Sequence, residues 1–258
     1  MSLPPAHPPD WEVRRFPTLA STNAYLLDEA RTGAPAGVVA VAEYQSAGRG
    51  RMGRSWEAPP GTSLLVSVLL RPTAPPTGLF ACSATVALSA ADACGAVAGT
   101  VPGIKWPNDL VVADRKLAGV LAESDAAAPG GRPGSVAVVV GLGCNVDWRG
   151  PDLESGTSLA AEAGRAVDKE ALLEAFLAAL APRVAALDGD DGRGATVDAL
   201  RRRCVTLGRR VRVEQAAADA SIEGEAVDLA PDGRLVVDVA GERMEVAAAD
   251  VVHLRPAR

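Results

Sequence analysis

The chain has 258 residues, enough for one large domain or a large and a small one, and its 48% apolar content supplies a real core. A net charge of −6 excludes the overall basic footprint of a general nucleic-acid binder, so any basic cluster is a local site. Only 3% of residues are aromatic, which leaves the core to Ala, Val and Leu.

Residues 1–10 are proline-rich without a basic patch ahead of an apolar run, and read as a disordered leader, not a signal peptide. Ser21 or Thr22 caps a helix running through Asn23 to about Arg31. Gly37 to Tyr44 and Thr62 to Leu70 are apolar runs of strand character, and the glycine-arginine loop Gly48-Arg49-Gly50-Arg51-Met52-Gly53-Arg54 connects them. Leu79 to about Val101 carries Ser, Thr and Asp92, too polar for a membrane span and suited to a buried helix. Leu110–Val112 and Leu117–Glu123 form a hairpin about Ala113-Asp114-Arg115, and Val136–Val140 runs as a strand into Gly141-Leu142-Gly143-Cys144-Asn145.

Lys169 to Leu187 has helical apolar spacing, Gly189-Asp190-Asp191-Gly192 breaks it, and a short arginine-rich helix ends near Arg203. From Thr206 onward short alternating strands with tight turns, such as Asp232-Gly233, read as a small β-barrel or sandwich. The division expected is a leader 1–10, an α+β domain over 11–205 and a small β domain over 206–258. Cys82, Cys94, Cys144 and Cys204 lack metal or disulfide spacing and read as free buried thiols of a reducing cytoplasm.

The loop has the Gly-x-Gly-x-x-Gly spacing, but Ser55-Trp56-Glu57-Ala58-Pro59-Pro60 behind it cannot open a helix, so a dinucleotide fold is excluded. It reads either as a solvated basic turn or as a flap of fork-shaped donors closing on phosphates, with no acidic residue inside it to neutralise Arg49, Arg51 and Arg54 and therefore mobile without an anion. Lys105-Trp106-Pro107-Asn108-Asp109 is either a turn at a strand edge or a polar pocket wall. Lys116 is either solvated beside its turn or projects inward toward a carboxylate or phosphate.

Six segments in one order, Ser21-Thr22-Asn23, Gln45, Gly48–Arg54, Lys105–Asp109, Lys116-Leu117-Ala118-Gly119 and Gly141–Asn145, resemble the biotin–protein ligases over about residues 18–160. The resemblance implies the mixed-sheet catalytic domain of the biotin/lipoate ligase type with a small C-terminal SH3-like β-barrel. It implies ATP-dependent formation of biotinyl-5′-AMP, with Mg²⁺ on the triphosphate, and transfer of biotin to a lysine of a biotin carboxyl carrier protein of acyl-CoA carboxylases.

Carried over by position, Ser21, Thr22, Asn23, Gln45, Gly48 and Gly119 would border biotin. Arg49 and Arg51 would lie over its carboxylate and the α-phosphate, with Arg54 nearer the triphosphate and Trp56 against adenine. Lys105, Asn108 and Asn145 would face the nucleotide, and Lys116 would grip the carboxylate and the developing acyl phosphate, making Arg51 and Lys116 the catalytic candidates. Met52 stands where many relatives have arginine. A related lipoate ligase or octanoyltransferase would need a reactive cysteine, for which Cys144 is the candidate. A repressor would need a helix-turn-helix, and about twenty residues ahead of Ser21 are too few. No DNA or membrane partner is expected, and the sequence assigns neither metal ligands nor an oligomeric state.

Overall fold

The computed structural model describes residues 11–73, 79–131, 134–150, 155–214, 221–247 and 250–253. The leader 1–10 lies outside the described residues. The first half of the chain runs β1 (Glu12–Phe16), α1 (Thr22–Arg31), β2 (Val38–Ala42), β3 (Ser63–Leu70), α2 (Leu79–Ala98), β4 (Gly103–Lys105), β5 (Asp109–Val112), β6 (Arg115–Asp125) and β7 (Ala137–Asn145). Helices α3 (Leu159–Ala163), α4 (Lys169–Ala186) and α5 (Asp190–Arg203) follow. Strands β8 (Arg210–Glu214), β9 (Ser221–Leu229), β10 (Leu235–Val239), β11 (Glu242–Val246) and β12 (Asp250–His253) complete the chain.

Seven strands form one mixed sheet in the order β1-β2-β3-β7-β6-β5-β4, antiparallel except for the β1–β2 pair. The last five form an antiparallel sheet ordered β11-β10-β9-β8-β12. The expected elements are found, with two corrections. Strand β1 has no alternating apolar pattern, because it is a partly exposed sheet edge whose Arg14 and Arg15 are held by carboxylates. The break ahead of α5 ends at Gly189, which occupies the N-cap position, so Asp190, Asp191 and Gly192 lie inside the helix.

Alternation along the strands divides the core. Val138, Val140, Leu142 and Cys144 of β7 face the layer of α2 and α4, while Ala137 and Val139 face α1 with Leu26, Leu27 and Ala30. Helix α2 is long and apolar enough to cross a membrane, but it is packed into the core, and Ser89 Oγ donates to the Thr85 carbonyl at 2.8 Å. Asp92 of α2 takes Arg183 of α4 and Arg203 of α5, tying the three helices together.

Helix α1 is fixed at both ends. Ser21 Oγ caps its start by accepting from Ala24 N at 3.4 Å. Arg71, only 5% exposed, donates to the carbonyls of Ala30 at 3.1 Å and Ala34 at 2.9 Å near its end. Burial pulls the Arg71 pKa down, so this charge rests on carbonyl dipoles. Arg71→Leu should therefore strand buried carbonyls and cost about 2–3 kcal/mol of unfolding free energy. Urea denaturation would read the loss, and a midpoint equal to wild type would show that the carbonyls are satisfied another way.

Candidate active site

The site lies where α1 stops covering the sheet. On β6 and β7, Gly119 pairs with Gly143 and Leu121 with Gly141, so this patch of one sheet face carries little side-chain bulk. The space is used for close approach. A Cβ at Gly141 would stand 2.3 Å from Asn23 Oδ1, and one at Gly143 would stand 2.4 Å from the Trp56 ring. Both distances are inside van der Waals contact, so the first turn of α1 and the Trp56 indole settle on the floor only because these positions are glycine.

Above this floor is a cavity of about 300 Å³. Its lining includes the neutral polar Ser21, Thr22, Asn23, Gln45 and Asn108 and the cations Arg49, Arg51, Arg54, Lys105 and Lys116. Trp56 and Gly119 complete this part of the lining. Thus the neutral polar residues and the cations picked out in the sequence share one space.

The neutral side is a connected network. Thr22 donates through N at 2.8 Å and Oγ1 at 3.0 Å to Gln45 Oε1, which leaves the Gln45 amide nitrogen as the outward donor. Ser67 Oγ, with one hydrogen to give, lies 2.7 Å from Thr22 Oγ1 and 2.6 Å from Asn23 Oδ1. Asn23 Nδ2 donates to the Leu121 carbonyl at 3.2 Å and to Glu123 Oε2 at 2.9 Å. This wall presents oriented dipoles, and the one charge in its network, Glu123, is met by Arg49, so it is suited to a neutral polar ring.

The cationic side corrects the expectation of an unneutralised loop. Arg49 Nη1 pairs with Glu123 Oε1 at 3.0 Å, and Arg51 Nη1 donates to Asn108 Oδ1 at 3.2 Å. The loop closes on itself through Gly50 N to Arg54 O at 2.6 Å and Trp56 N to Gly48 O at 2.9 Å, with a single 3₁₀ turn at Arg51–Gly53 and Met52 exposed at φ 55°. Lys116 projects inward, as one of its two sequence readings had it. Its Nζ is 2.8 Å from Asp109 Oδ1 and 5.5 Å from the Trp56 ring centroid. The Lys116 side chain is 43% exposed, so an arriving anion can reach it, while the Asp109 oxygen it meets is buried.

Some sequence candidates are not brought to the cavity. Asn145 is buried at the end of β7, where Nδ2 donates to the Thr157 carbonyl at 3.0 Å and Oδ1 is buried with no hydrogen-bond donor among the described residues. Gly48 lines the open groove of about 1330 Å³ on the other side of the loop, with Glu123 and Trp148. Cys144 points into the helix layer against Cys94, and that contact and burial push its pKa up. A thioester mechanism finds no thiolate there. Trp106, by contrast, does contribute to the cavity lining, and its indole N–H donates at 2.9 Å to the Gly233 carbonyl beside the C-terminal sheet.

Sequence reasoning missed Ser67 and Glu123, as well as Glu214, which reaches the cavity from β8, while Asp109 lines the cavity as the pocket-wall reading of its segment had it. Glu123 carried a readable signal, being two and four residues beyond Leu121 and Gly119 on one strand face. Gly143→Ala should lift the indole from the floor and red-shift the Trp56 contribution to fluorescence, measured against the same substitution in a Trp56→Phe background. An emission spectrum unchanged from wild type would show that the indole rests elsewhere.

The model of the biotin/lipoate A/B protein ligase family matches residues 16–145, and that of the biotin protein ligase C-terminal domain matches residues 206–254. The chain is 36% identical over 241 residues to the biotin–[acetyl-CoA-carboxylase] ligase of Mycobacterium tuberculosis, covering 91% of this chain and 86% of that protein. It is 34% identical over 240 residues to the ligase of the same name from Paracoccus denitrificans, covering 90% of this chain and 96% of that one. Among solved structures, the biotin protein ligase from Aquifex aeolicus in complex with biotin and ATP has the same fold, with a TM-score of 0.79 at 22% identity over 94% of this chain and 99% of that one. The chain therefore belongs to the biotin/lipoate A/B protein ligase family, as a biotin protein ligase with the C-terminal domain of that group.

Proposed function

We propose that this protein activates biotin with ATP to biotinyl-5′-AMP and transfers the biotin to a lysine of a biotin carboxyl carrier protein or domain of an acyl-CoA carboxylase, in the cytoplasm. The observation that supports the reading is one cavity lined both by neutral polar groups, from α1 and Gln45, and by Arg49, Arg51, Arg54, Lys105 and Lys116. Biotin has that polarity, a neutral ureido ring at one end and a carboxylate at the other. The four buried free cysteines agree with a reducing compartment.

In the first step a biotin carboxylate oxygen attacks the α-phosphorus of ATP, forming the acyl–phosphate bond as the bond to pyrophosphate breaks. In the second the neutral amine of the carrier lysine attacks the acyl carbon, AMP leaves with the bonding pair, and the amine proton passes to solvent. Both steps gather negative charge on oxygens, so fixed cations at the cavity supply the acceleration and no protein nucleophile is needed. The Gln45 amide nitrogen and the Ser21 and Thr22 hydroxyls would orient the ureido ring, while Trp56 would lie against the adenine. Lys116, released from Asp109 by the incoming anion, would meet the carboxylate and acyl phosphate, with Arg51 over the α-phosphate and Arg49 beside it. Arg54, Lys105 and Asn108 would serve the rest of the nucleotide.

Among the described residues no three His, Cys, Asp or Glu side chains converge as a metal cage. Mg²⁺ would arrive with the triphosphate and take one or two protein oxygens, which Asp109 and Asn108 of the cavity lining would offer, and when bound it would neutralise leaving-group charge.

Incubation of the protein with biotin, ATP, Mg²⁺ and a biotin carboxyl carrier domain should add one biotin to the carrier by intact mass, and an unmodified carrier would sink the reading. Lys116→Ala should slow biotin-dependent pyrophosphate release about 100-fold while leaving the far-UV circular dichroism of the folded protein unchanged. Near wild-type turnover would remove Lys116 from the chemistry.

A further inference from the structure

We infer that Glu123 is a positioning residue of this reaction, a carboxylate latch that holds the 48–56 loop on the site and sets how long the acyl-adenylate is retained. The retention part rests on the function proposed above. The latch itself rests on a branched contact. One Glu123 oxygen accepts from Asn23 Nδ2 at 2.9 Å, in the first turn of α1, and the other accepts from Arg49 Nη1 at 3.0 Å, in the loop. A single carboxylate thus joins the wall of the cavity to its cover.

Fixing Arg49 fixes the rest of the loop. Arg49 pairs with Ser55 as an isolated antiparallel bridge, and Trp56 N donates to Gly48 O at 2.9 Å, so the two arms of the loop move together and carry the indole onto Gly143. Glu123 lines the outer groove and not the cavity, whereas Arg49 lines both. It therefore acts on a ligand through Arg49 and does not touch the reacting atoms. With side chains 50% and 27% exposed, the pair is weak enough to open once in each turnover, as a cover over a released product must.

The test uses Glu123→Gln, which keeps an oxygen for Asn23 and the shape of the side chain while removing the charge that Arg49 meets. In the ligand-free protein, hydrogen exchange of the amides of residues 48–56 should quicken about two- to fivefold, with exchange in β6 and β7 unchanged. With a non-hydrolysable biotinyl sulfamoyl-adenosine as probe, the dissociation rate read by stopped-flow fluorescence should rise by a similar factor with the association rate unchanged. The ratio of mutant to wild-type dissociation rates should fall toward one in 1 M salt, where the screening length is about 3 Å.

Loop exchange and dissociation equal to wild type, or a faster dissociation that persists in high salt, would overturn the latch. Failure of the wild type to bind the probe would overturn the ligand reading instead, while the exchange measurement on free protein would still decide whether Glu123 holds the loop.

Discussion

Two glycines on one face of β7 set the terms for everything around them. Because Gly141 and Gly143 carry no side chain, the N-terminus of α1 and the Trp56 loop can both come down onto the sheet at distances that any Cβ would forbid. The helix brings short polar side chains at its cap and first turn, and the loop brings guanidinium groups. The neighbouring strand β6 places Gly119 beside Gly143, so the bare patch is two strands wide there, and it is bounded where Leu121 stands beside Gly141. A cavity follows from this omission of bulk in an otherwise close-packed sheet.

The charges of the site are arranged to be exchanged. Lys116 rests on Asp109 and Arg49 on Glu123, both through partly exposed pairs, and Arg51 rests on the neutral Asn108 oxygen. Partners of that strength keep the cations oriented without holding them against a ligand phosphate, which offers two or three charged oxygens in place of one carboxylate. The contrast is Arg71, which is deeply buried on helix-end carbonyls where no anion can reach it. Within one chain the same side chain serves as a rigid support in one place and as a replaceable contact in another, and burial decides which.

The C-terminal sheet is attached through the segment that also walls the cavity. Trp106 donates its indole N–H to Gly233, its backbone N–H to Thr206 Oγ1 at 3.0 Å, and Ile104 accepts from Val205 at 3.0 Å. Lys105 and Asn108, on either side of this anchor, face the cavity, and Glu214 reaches it from β8. The aromatic residue of the motif thus stabilises the junction, while its polar neighbours are positioned by it.

Local pattern was enough for most elements, and the family resemblance for the candidate residues of the site. The capped start of α1 at Ser21, the hairpin about Ala113-Asp114, the buried α2 and the strand ending at Asn145 were legible because each is dictated by neighbours a few residues away. The ordered motifs likewise announced which residues would meet in one cavity, and Ser21, Thr22, Asn23, Gln45, Arg49, Arg51, Arg54, Lys105, Asn108, Lys116 and Gly119 do line it. What the sequence could not determine were relations across the sheet. Arg49 finds Glu123 at a separation of 74 residues and Trp106 finds Gly233 at 127, because strand register and domain packing bring them together. Asn145 carried the motif but not the direction, since its place at the end of β7 turns its amide to Thr157. Side-chain partners of this kind depend on which strands pair and which faces are covered, and those are properties of the assembled fold.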